Sequence, residues 1–147
     1  MKFEFADPND EPQVRQLLAG CDLPDEDITA SHLQHFFVVR HEKSLSGVIG
    51  LELFGYCALL RSLAVQSPVR GQGIATRLVE KAEDYARSQG VASLYLLTTT
   101  AEGFFEKHGF RRTDRSSVPP VLKETAEFKS ICPSTAVCMT KSIRASE

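Results

Sequence analysis

The sequence lacks the long apolar run that a membrane-spanning helix requires, since none approaches about 20 residues. Residues 1–5 also lack the extended apolar segment of a secretory signal. Positive charge is not in excess, because 17 basic residues stand against 19 acidic ones and the formal net charge is −2. These absences argue against a membrane protein and against a surface that attracts nucleic acid, and they predict a cytoplasmic location.

Metal and redox motifs are lacking among the cysteines. No two of the four cysteines, Cys21, Cys57, Cys132 and Cys138, form a Cys-x-x-Cys pair. We therefore expect free thiols that pack as small apolar side chains, with no metal site and no disulfide.

The chain does contain enough apolar residues for one folded domain. Of its 147 residues, 42% are hydrophobic and 24% are charged, and both fractions are ordinary for a globular protein. This length fits one sizeable core, so we expect residues 1–147 to form a single domain.

Apolar periodicity and turn residues divide the chain into a mixed order of elements. We predict strands at 2–6, 36–40, 47–54, 56–65, 93–99 and 136–140, and helices ending at Gly20 and covering 73–88, 101–108 and 121–129. Residues 21–29 are acidic and irregular, and residues 110–115 are extended. Antiparallel strands followed by one β-α-β crossover predict an α/β fold of mixed α+β type, in which helices cover both faces of a mixed, mostly antiparallel sheet of six or seven strands.

The most distinctive stretch is a glycine turn between an apolar strand and an amphipathic helix. The turn reads Arg70-Gly71-Gln72-Gly73-Ile74-Ala75. Glycine admits close backbone approach, and the free N–H groups of a helix's first turn bind anions. No Lys-Ser/Thr follows the glycines, and no third glycine is present, which excludes a P-loop and a dinucleotide fingerprint. An ordinary strand-to-helix turn is the alternative.

This turn resembles the pyrophosphate loop of the GNAT N-acetyltransferases, whose pattern is Arg/Gln-x-x-Gly-x-Gly/Ala. A second stretch at 94–110, LYLLTTTAEGFFEKHGF, is similar to the fifth strand and fourth helix of that family. The stretches LLRSLAV, FRRTDRS and ICPSTAVCM most resemble the ArsN-type branch, which is named for its association with arsenic-resistance operons. This closer resemblance spans residues 47–141.

The resemblance implies an N-acetyltransferase that uses acetyl-CoA as co-substrate and needs no metal. Acetyl-CoA would lie where the strand before the turn separates from the next parallel strand. The implied contacts are the backbone of Leu63, Ala64 and Val65 for the pantetheine arm, and Arg70, Gly71, Gln72, Gly73, Ile74, Ala75 and Thr76 for the pyrophosphate. The acceptor would be a small-molecule amine, such as an amino acid or a toxic amino-acid analogue. Acetylation of a protein lysine or N-terminus, and a non-catalytic acyl-CoA sensor, are the alternatives.

Glu52 is the predicted catalytic base, because only a neutral amine can attack a thioester. It lies in an apolar strand on the same face as Val48 and Phe54, where partial burial would favour uptake of a proton. A structural pair with Arg61 is the alternative role of this carboxylate. Ser62 or a chain of waters could then serve as the base.

Arg61 is the predicted contact for an anionic group of the acceptor, because it lies on the strand that leads to the acetyl group. Arg111, Arg112 and Arg115 form a second, solvated candidate. Phe105 stands where many members of the resembled family have a tyrosine that protonates the CoA thiolate, so water, Thr99 or Thr100 would have to donate instead. His32, His35 and His108 are not expected to be catalytic. No nucleic acid or membrane partner is expected, and a homodimer is left open.

Overall fold

Seven strands form one sheet in the computed structural model, which describes residues 2–66, 73–131 and 135–144 without the side chains of residues 130 and 131. The strands are β1 (Lys2–Phe5), β2 (Phe36–His41), β3 (Ser44–Phe54), β4 (Cys57–Val65), β5 (Ser93–Thr98), β6 (Arg111–Arg112) and β7 (Val137–Ser142). Their spatial order is β1-β2-β3-β4-β5-β7-β6. Within the described sheet, β4 and β5 are the parallel pair and the other neighbours are antiparallel. The predicted mixed, mostly antiparallel sheet is confirmed.

Four α-helices accompany the sheet in the described ranges: α1 (Glu11–Gly20), α2 (Ile74–Ser88), α3 (Glu102–Lys107) and α4 (Pro120–Lys123). Short 3-10 turns cover Pro8–Asp10, His32–His35 and Arg115–Ser117, and a π-helical turn covers Glu127–Ile131. The approach to α1 is fixed by a capping box, in which Asp7 accepts from the Asn9 N–H and Asp10 accepts from the Asp7 N–H. None of the helices described is both long and apolar enough to cross a membrane.

Alternate side chains of the strands pack on opposite faces of the sheet. One face packs against α2 and α3 through Ile49, Leu51, Ala58, Leu60, Leu78, Ala82, Leu94 and Met139. The opposite face packs against α1 through Val14, Leu18, Phe36 and Val48, and against α4 through Leu59, Val118 and Leu122. Helices therefore cover both faces, as alternating burial along the strands requires.

A bulge in β4 bends the centre of the sheet. Gly50 pairs with Arg61 and Val48 pairs with Ala64, so that Ser62 and Leu63 both lie opposite Ile49. Ser62 has a φ of 61°, in the left-handed region that a serine seldom adopts. On its other side β4 pairs with β5 only from Cys57 to Leu59, while β5 stays paired with β7 along its length. The two parallel strands therefore separate beyond Leu59.

The predicted helix over 121–129 is wrong. The structure has one turn of α-helix at Pro120–Lys123, followed by the π-helical turn. Thr125 separates them: its N–H and its Oγ1 both donate to the Leu122 carbonyl, at 3.1 and 2.7 Å. Such a local side-chain bond competes with the regular helix ladder. The apolar spacing of this stretch is compatible with one continuous helix and also with two separate turns, and this ambiguity misled the prediction.

Candidate active site

A cleft of about 840 Å³ lies where β4 and β5 separate. One wall is β4 from Leu60 to Val65, and the other is the end of β5 with the residues that follow it, 96–101. Ala75 closes the end at α2, Phe104 and Phe105 contribute from α3, and the loop after α1 contributes the acidic residues Asp22 and Glu26. The predicted pantetheine contacts Leu63, Ala64 and Val65 therefore all line the cleft.

The helix that follows the glycine turn begins beside this cleft. Gly73 is the N-cap of α2 with a φ of 77°, and a Cβ built on it would meet no atom within 4 Å. Ile74 packs into the core at 3% exposure, whereas Ala75 lines the cleft. Thr76 is half-buried, with its Oγ1 3.2 Å from His108 Nε2. Arg70, Gly71 and Gln72 lie outside the described residues, so their contacts stay predictions.

Arg61, the predicted acceptor contact, lines one side of the cleft, and its side chain is 0% exposed. We call this side the acceptor side after that prediction. We call Arg61 with Asp27, Glu52 and Glu127 the Arg61 cluster. Arg61 Nη1 and Nη2 donate to the two oxygens of Asp27 at 2.5 and 2.7 Å, and Nη1 also donates to Glu52 Oε2 at 2.7 Å. Arg61 Nε donates to Ser62 Oγ at 2.9 Å and lies 3.2 Å from Glu127 Oε2. A buried guanidinium thus joins four segments of the chain.

The Arg61 cluster contains three carboxylates and one guanidinium, so its formal charge is negative. Burial lowers the pKa of Arg61, but the hydrogen bonds and charges of its partners outweigh burial and raise that pKa above its usual value. Burial raises the pKa of the Asp27 carboxyl, whereas the hydrogen bonds and charge of Arg61 lower it, and the net pKa lies below its ordinary value. Both groups are therefore charged at neutral pH.

Glu52 lies on the face that its alternation predicted, with Val48 and Phe54. Its side chain is 16% exposed, and one oxygen, Oε2, is bonded to Arg61. Glu52 itself does not line the cleft, but Arg61 does. The structure therefore contains the Glu52–Arg61 pair that the sequence left open, and Arg61 is engaged by carboxylates of its own chain rather than exposed to an anion.

Sequence reasoning missed two members of this site, Asp27 and Glu127, and set aside a third, His32. Nitrogen Nδ1 of His32 accepts from the Thr29 N–H at 3.1 Å, and one ligand atom each of His32, Asp27 and Glu52 lie within 4.8 Å of one another. A metal ion there would compete with Arg61, which already donates to both carboxylates. The only sequence signal was the acidic character of residues 21–29, which does not single out Asp27.

At the far wall, Phe105 is 6% exposed and packs edge-on against Phe104 and Phe110. Thr99 and Thr100, the alternative proton donors, line the cleft. The basic cluster lies outside this wall: Arg112 pairs with Glu102, and Arg115 donates to the Phe128 carbonyl at 3.2 Å.

The cysteines that the structure describes, Cys21, Cys57 and Cys138, form no disulfide with one another, and Cys132 lies outside the described residues. Burial raises the pKa of the Cys138 thiol to about 11. A thiol that loses its proton so reluctantly is a weak nucleophile at neutral pH, in keeping with the packing role expected of it.

Sequence comparison identifies relatives over most of the chain. A profile of the acetyltransferase (GNAT) family matches residues 4–110. An uncharacterized N-acetyltransferase of Chlorobaculum tepidum is 30% identical over 108 residues, covering 73% of this chain and 67% of that protein. The amino-acid acetyltransferase of Mycobacterium tuberculosis is 28% identical over 133 residues, covering 84% of this chain and 73% of that protein.

Solved structures of low sequence identity share the fold. N-acetylglutamate synthase from Neisseria gonorrhoeae, complexed with coenzyme A and N-acetyl-glutamate, superposes with a TM-score of 0.85 at 19% identity over 98% of this chain. This chain covers 35% of that larger protein. An aminoglycoside 6'-N-acetyltransferase complexed with coenzyme A gives a TM-score of 0.71 at 19% identity, with 99% of its own chain covered.

Proposed function

The chain belongs to the acetyltransferase (GNAT) family, and from this premise we propose that it transfers the acetyl group of acetyl-CoA to the amine of a small molecule. Amino acids and toxic amino-acid analogues are the proposed acceptors. The observation that carries the proposal is the cleft between the separated strands β4 and β5, with the Arg61 cluster on its acceptor side.

Acetyl-CoA fits this cleft by the chemistry of its walls. Beyond Leu59 the edge of β4 is no longer paired with β5, so the backbone of Leu63, Ala64 and Val65 can pair with the amides of the pantetheine arm as an added strand would. The first turn of α2, behind Gly73, offers N–H groups to the pyrophosphate. The neighbours complexed with coenzyme A support this assignment.

The reaction requires that a neutral amine attack the thioester carbon. A new C–N bond forms, the C–S bond breaks, and the proton of the amine must pass to a base. Glu52 is the proposed base, acting directly or through one water, because its carboxylate is 16% exposed and is bonded to Arg61, which lines the cleft. Arg61 orients Glu52 through the 2.7 Å bond to Oε2.

The leaving CoA thiolate takes its proton from water or from a threonine hydroxyl. Phe105 lines the cleft at this end, and a phenyl ring cannot donate a proton. Thr99 and Thr100 are within the same wall. Because an ordinary thiol has a pKa of about 8.5, the released CoA is mostly in its protonated thiol form once it equilibrates with solvent at neutral pH.

Three observations bear on the acceptor class. Amino-acid acetyltransferases are among the relatives of this chain, which supports an α-amino acid as acceptor. The resemblance of residues 47–141 to the arsenic-resistance-associated branch adds arsenic-containing and phosphinic analogues of amino acids to the compounds worth testing. The loop after α1 lines the cleft through Asp22, Leu23 and Glu26, and this wall argues against an open groove for a protein lysine.

The test is a panel of free amino acids, their analogues, neutral amines and lysine peptides, each incubated with acetyl-CoA and read by the release of free thiol. We expect amino acids or their analogues to react fastest. A faster reaction with peptides would favour a protein acceptor. Tight acetyl-CoA binding without thiol release from any amine would favour the acyl-CoA sensor, which the phenylalanine at position 105 makes the second candidate.

A further inference from the structure

We propose that Asp27 occupies the place of the acceptor's carboxylate on Arg61. An incoming α-amino acid exchanges its own carboxylate for that of Asp27 and so brings its amine to Glu52. Asp27 is thereby a specificity-determining residue, which selects acceptors that carry a carboxylate beside the amine. The inference rests on the proposed function and names the chemistry by which that same site selects its acceptor.

The Asp27 contact has the geometry with which a guanidinium binds a free carboxylate. Both terminal nitrogens of Arg61 donate, one to each oxygen of Asp27, at 2.5 and 2.7 Å. Such paired, parallel bonds are the strongest mode of carboxylate recognition by arginine. The remaining nitrogen, Nε, is engaged from the other side by Ser62 and Glu127. The face that Asp27 covers is therefore the one that a substrate carboxylate would use.

Of the three carboxylates, Asp27 is best placed to leave. Glu52 belongs to a central strand, and the side chain of Glu127 is only 5% exposed, whereas Asp27 lies in an irregular loop and is 15% exposed. Three carboxylates around one guanidinium repel each other, and release of Asp27 to solvent followed by entry of a substrate carboxylate keeps the charge of the site unchanged.

The exchange needs a rotation of one side chain rather than the opening of the loop. Ile28, the next residue, is 0% exposed in the core under α1. Arg15 Nη2 fixes the same point by donating to the Ile28 carbonyl at 2.7 Å. The backbone beside Asp27 is therefore anchored, and its short side chain can turn towards solvent while the loop stays in place.

An amino acid held in this way presents its amine to the base. Arg61 Nη1 donates both to Asp27 Oδ2 and to Glu52 Oε2, so the two oxygens share one nitrogen. In an α-amino acid the amine is attached to the carbon that bears the carboxylate. A carboxylate in the place of Asp27 therefore puts the amine next to Glu52, which takes its proton. The same amine without a carboxylate lacks this anchor.

The kinetic test compares Asp27→Ala with the parent on the fastest-reacting amino acid and on the amine left when its carboxyl group is removed. If Asp27 competes with the acceptor, its removal should lower the KM of the amino acid by about tenfold, as expected when a binding-competent state rises from a small to a full population. The KM of the decarboxylated amine and of acetyl-CoA should stay within twofold. Asp25→Ala removes one charge from the same loop without touching Arg61 and should change neither.

A second measurement does not depend on turnover. Acetate, a simple carboxylate, should raise the Tm of Asp27→Ala by filling the vacated face of Arg61. It should raise the Tm of the parent and of Asp25→Ala much less, because there it must first displace Asp27. Equal effects of acetate on all three proteins would overturn the exchange. A higher KM of the amino acid in Asp27→Ala would also overturn it, since Asp27 would then bind the acceptor itself. Absence of thiol release from every amine in the parent overturns acetylation instead, and the acetate experiment still reports on Arg61.

Discussion

Two parts of the site meet at strand β4, the proposed cofactor side and the acceptor side, and they differ in the kind of groups that form them. The proposed cofactor side consists of backbone groups and small or apolar side chains, and its described parts, residues 63–65 and 73–76, lie close together in the chain. The acceptor side consists of four charged side chains from four separate segments, joined by the buried guanidinium of Arg61. On the same strand, the bulge at Ser62 lies between Arg61 and Leu63.

This difference follows from the ligands that the two sides are proposed to bind. A pantetheine arm and a pyrophosphate can be recognised by main-chain amides, which any sequence supplies if small residues allow close approach. An acceptor amine needs a proton acceptor in one place, which only specific side chains provide. Substitutions on the cofactor side that do not strain the backbone should therefore change acetyl-CoA binding alone, whereas those on the acceptor side should change both stability and turnover.

The largest expected effect is on stability, at Arg61. Arg61→Met leaves Asp27, Glu52 and Glu127 facing each other without their cation, so the free energy of unfolding should fall by about 3 kcal/mol or more. Urea unfolding followed by circular dichroism measures this loss. Arg61→Lys keeps the charge but not the paired bonds and should lose less. A loss below about 1 kcal/mol for Arg61→Met would mean that the Arg61 cluster does not hold the acceptor side together.

The next effect is on turnover, at Glu52. Glu52→Gln keeps the shape and can still accept from Arg61, but it cannot take a proton, so kcat should fall by about 10²-fold or more. The affinity for acetyl-CoA, measured by calorimetry, should be unchanged, because this residue belongs to the acceptor side. Glu80→Gln, at an exposed position of α2, is the matched control. A rate within a few-fold of the parent from pH 6 to 9 would exclude Glu52 as the base.

A smaller effect is expected on the cofactor side, at Gly73. Each backbone hydrogen bond to a phosphate contributes about 1.5–3 kcal/mol, so blocking one should weaken acetyl-CoA binding by about tenfold or more. Gly73→Val adds a side chain and strains the left-handed φ of 77°, whereas Gly73→Asn adds a side chain that tolerates this conformation. Both variants should lose affinity by calorimetry, and only the valine variant should also lose stability. Full affinity in the asparagine variant would mean that no ligand approaches Gly73.

The smallest expected effect is a pH dependence of stability, which should be seen for a substitution on the acceptor side and not for one on the cofactor side. The pKa of Asp27 is lowered in the folded state, so its pair with Arg61 contributes stability above the unfolded pKa of about 3.9 and loses it as pH falls through the lower folded pKa. The stability difference between the parent and Asp27→Asn should be constant from pH 7 to 5 and shrink towards pH 3. For Gly73→Asn the difference should not change with pH. A constant difference for both variants would argue against a charged Asp27.

The cofactor side was largely predictable because its signals are local. Three signals follow one another in the chain: the apolar run of β4, the small residues of the turn and the periodicity of α2. Each can be recognised from a short stretch of sequence. The crossover and the separation of β4 from β5 followed from that order and from the family resemblance. The helix over 121–129 failed for the converse reason: the bonds of Thr125 to the Leu122 carbonyl, not the apolar spacing, decide that turn.

What the sequence by itself determined is therefore the sheet, the crossover and the position of Glu52 on its face of β3. Only the tertiary structure decided that Arg61 is surrounded by carboxylates, because Asp27 lies 34 residues away in a loop without periodicity and Glu127 begins the π-helical turn. Periodicity predicts which face of an element is buried. It does not predict which charged residue from a distant segment contacts that face. A buried guanidinium needs carboxylate partners to offset the loss of its hydration. Those partners come from segments that only the tertiary fold brings next to it.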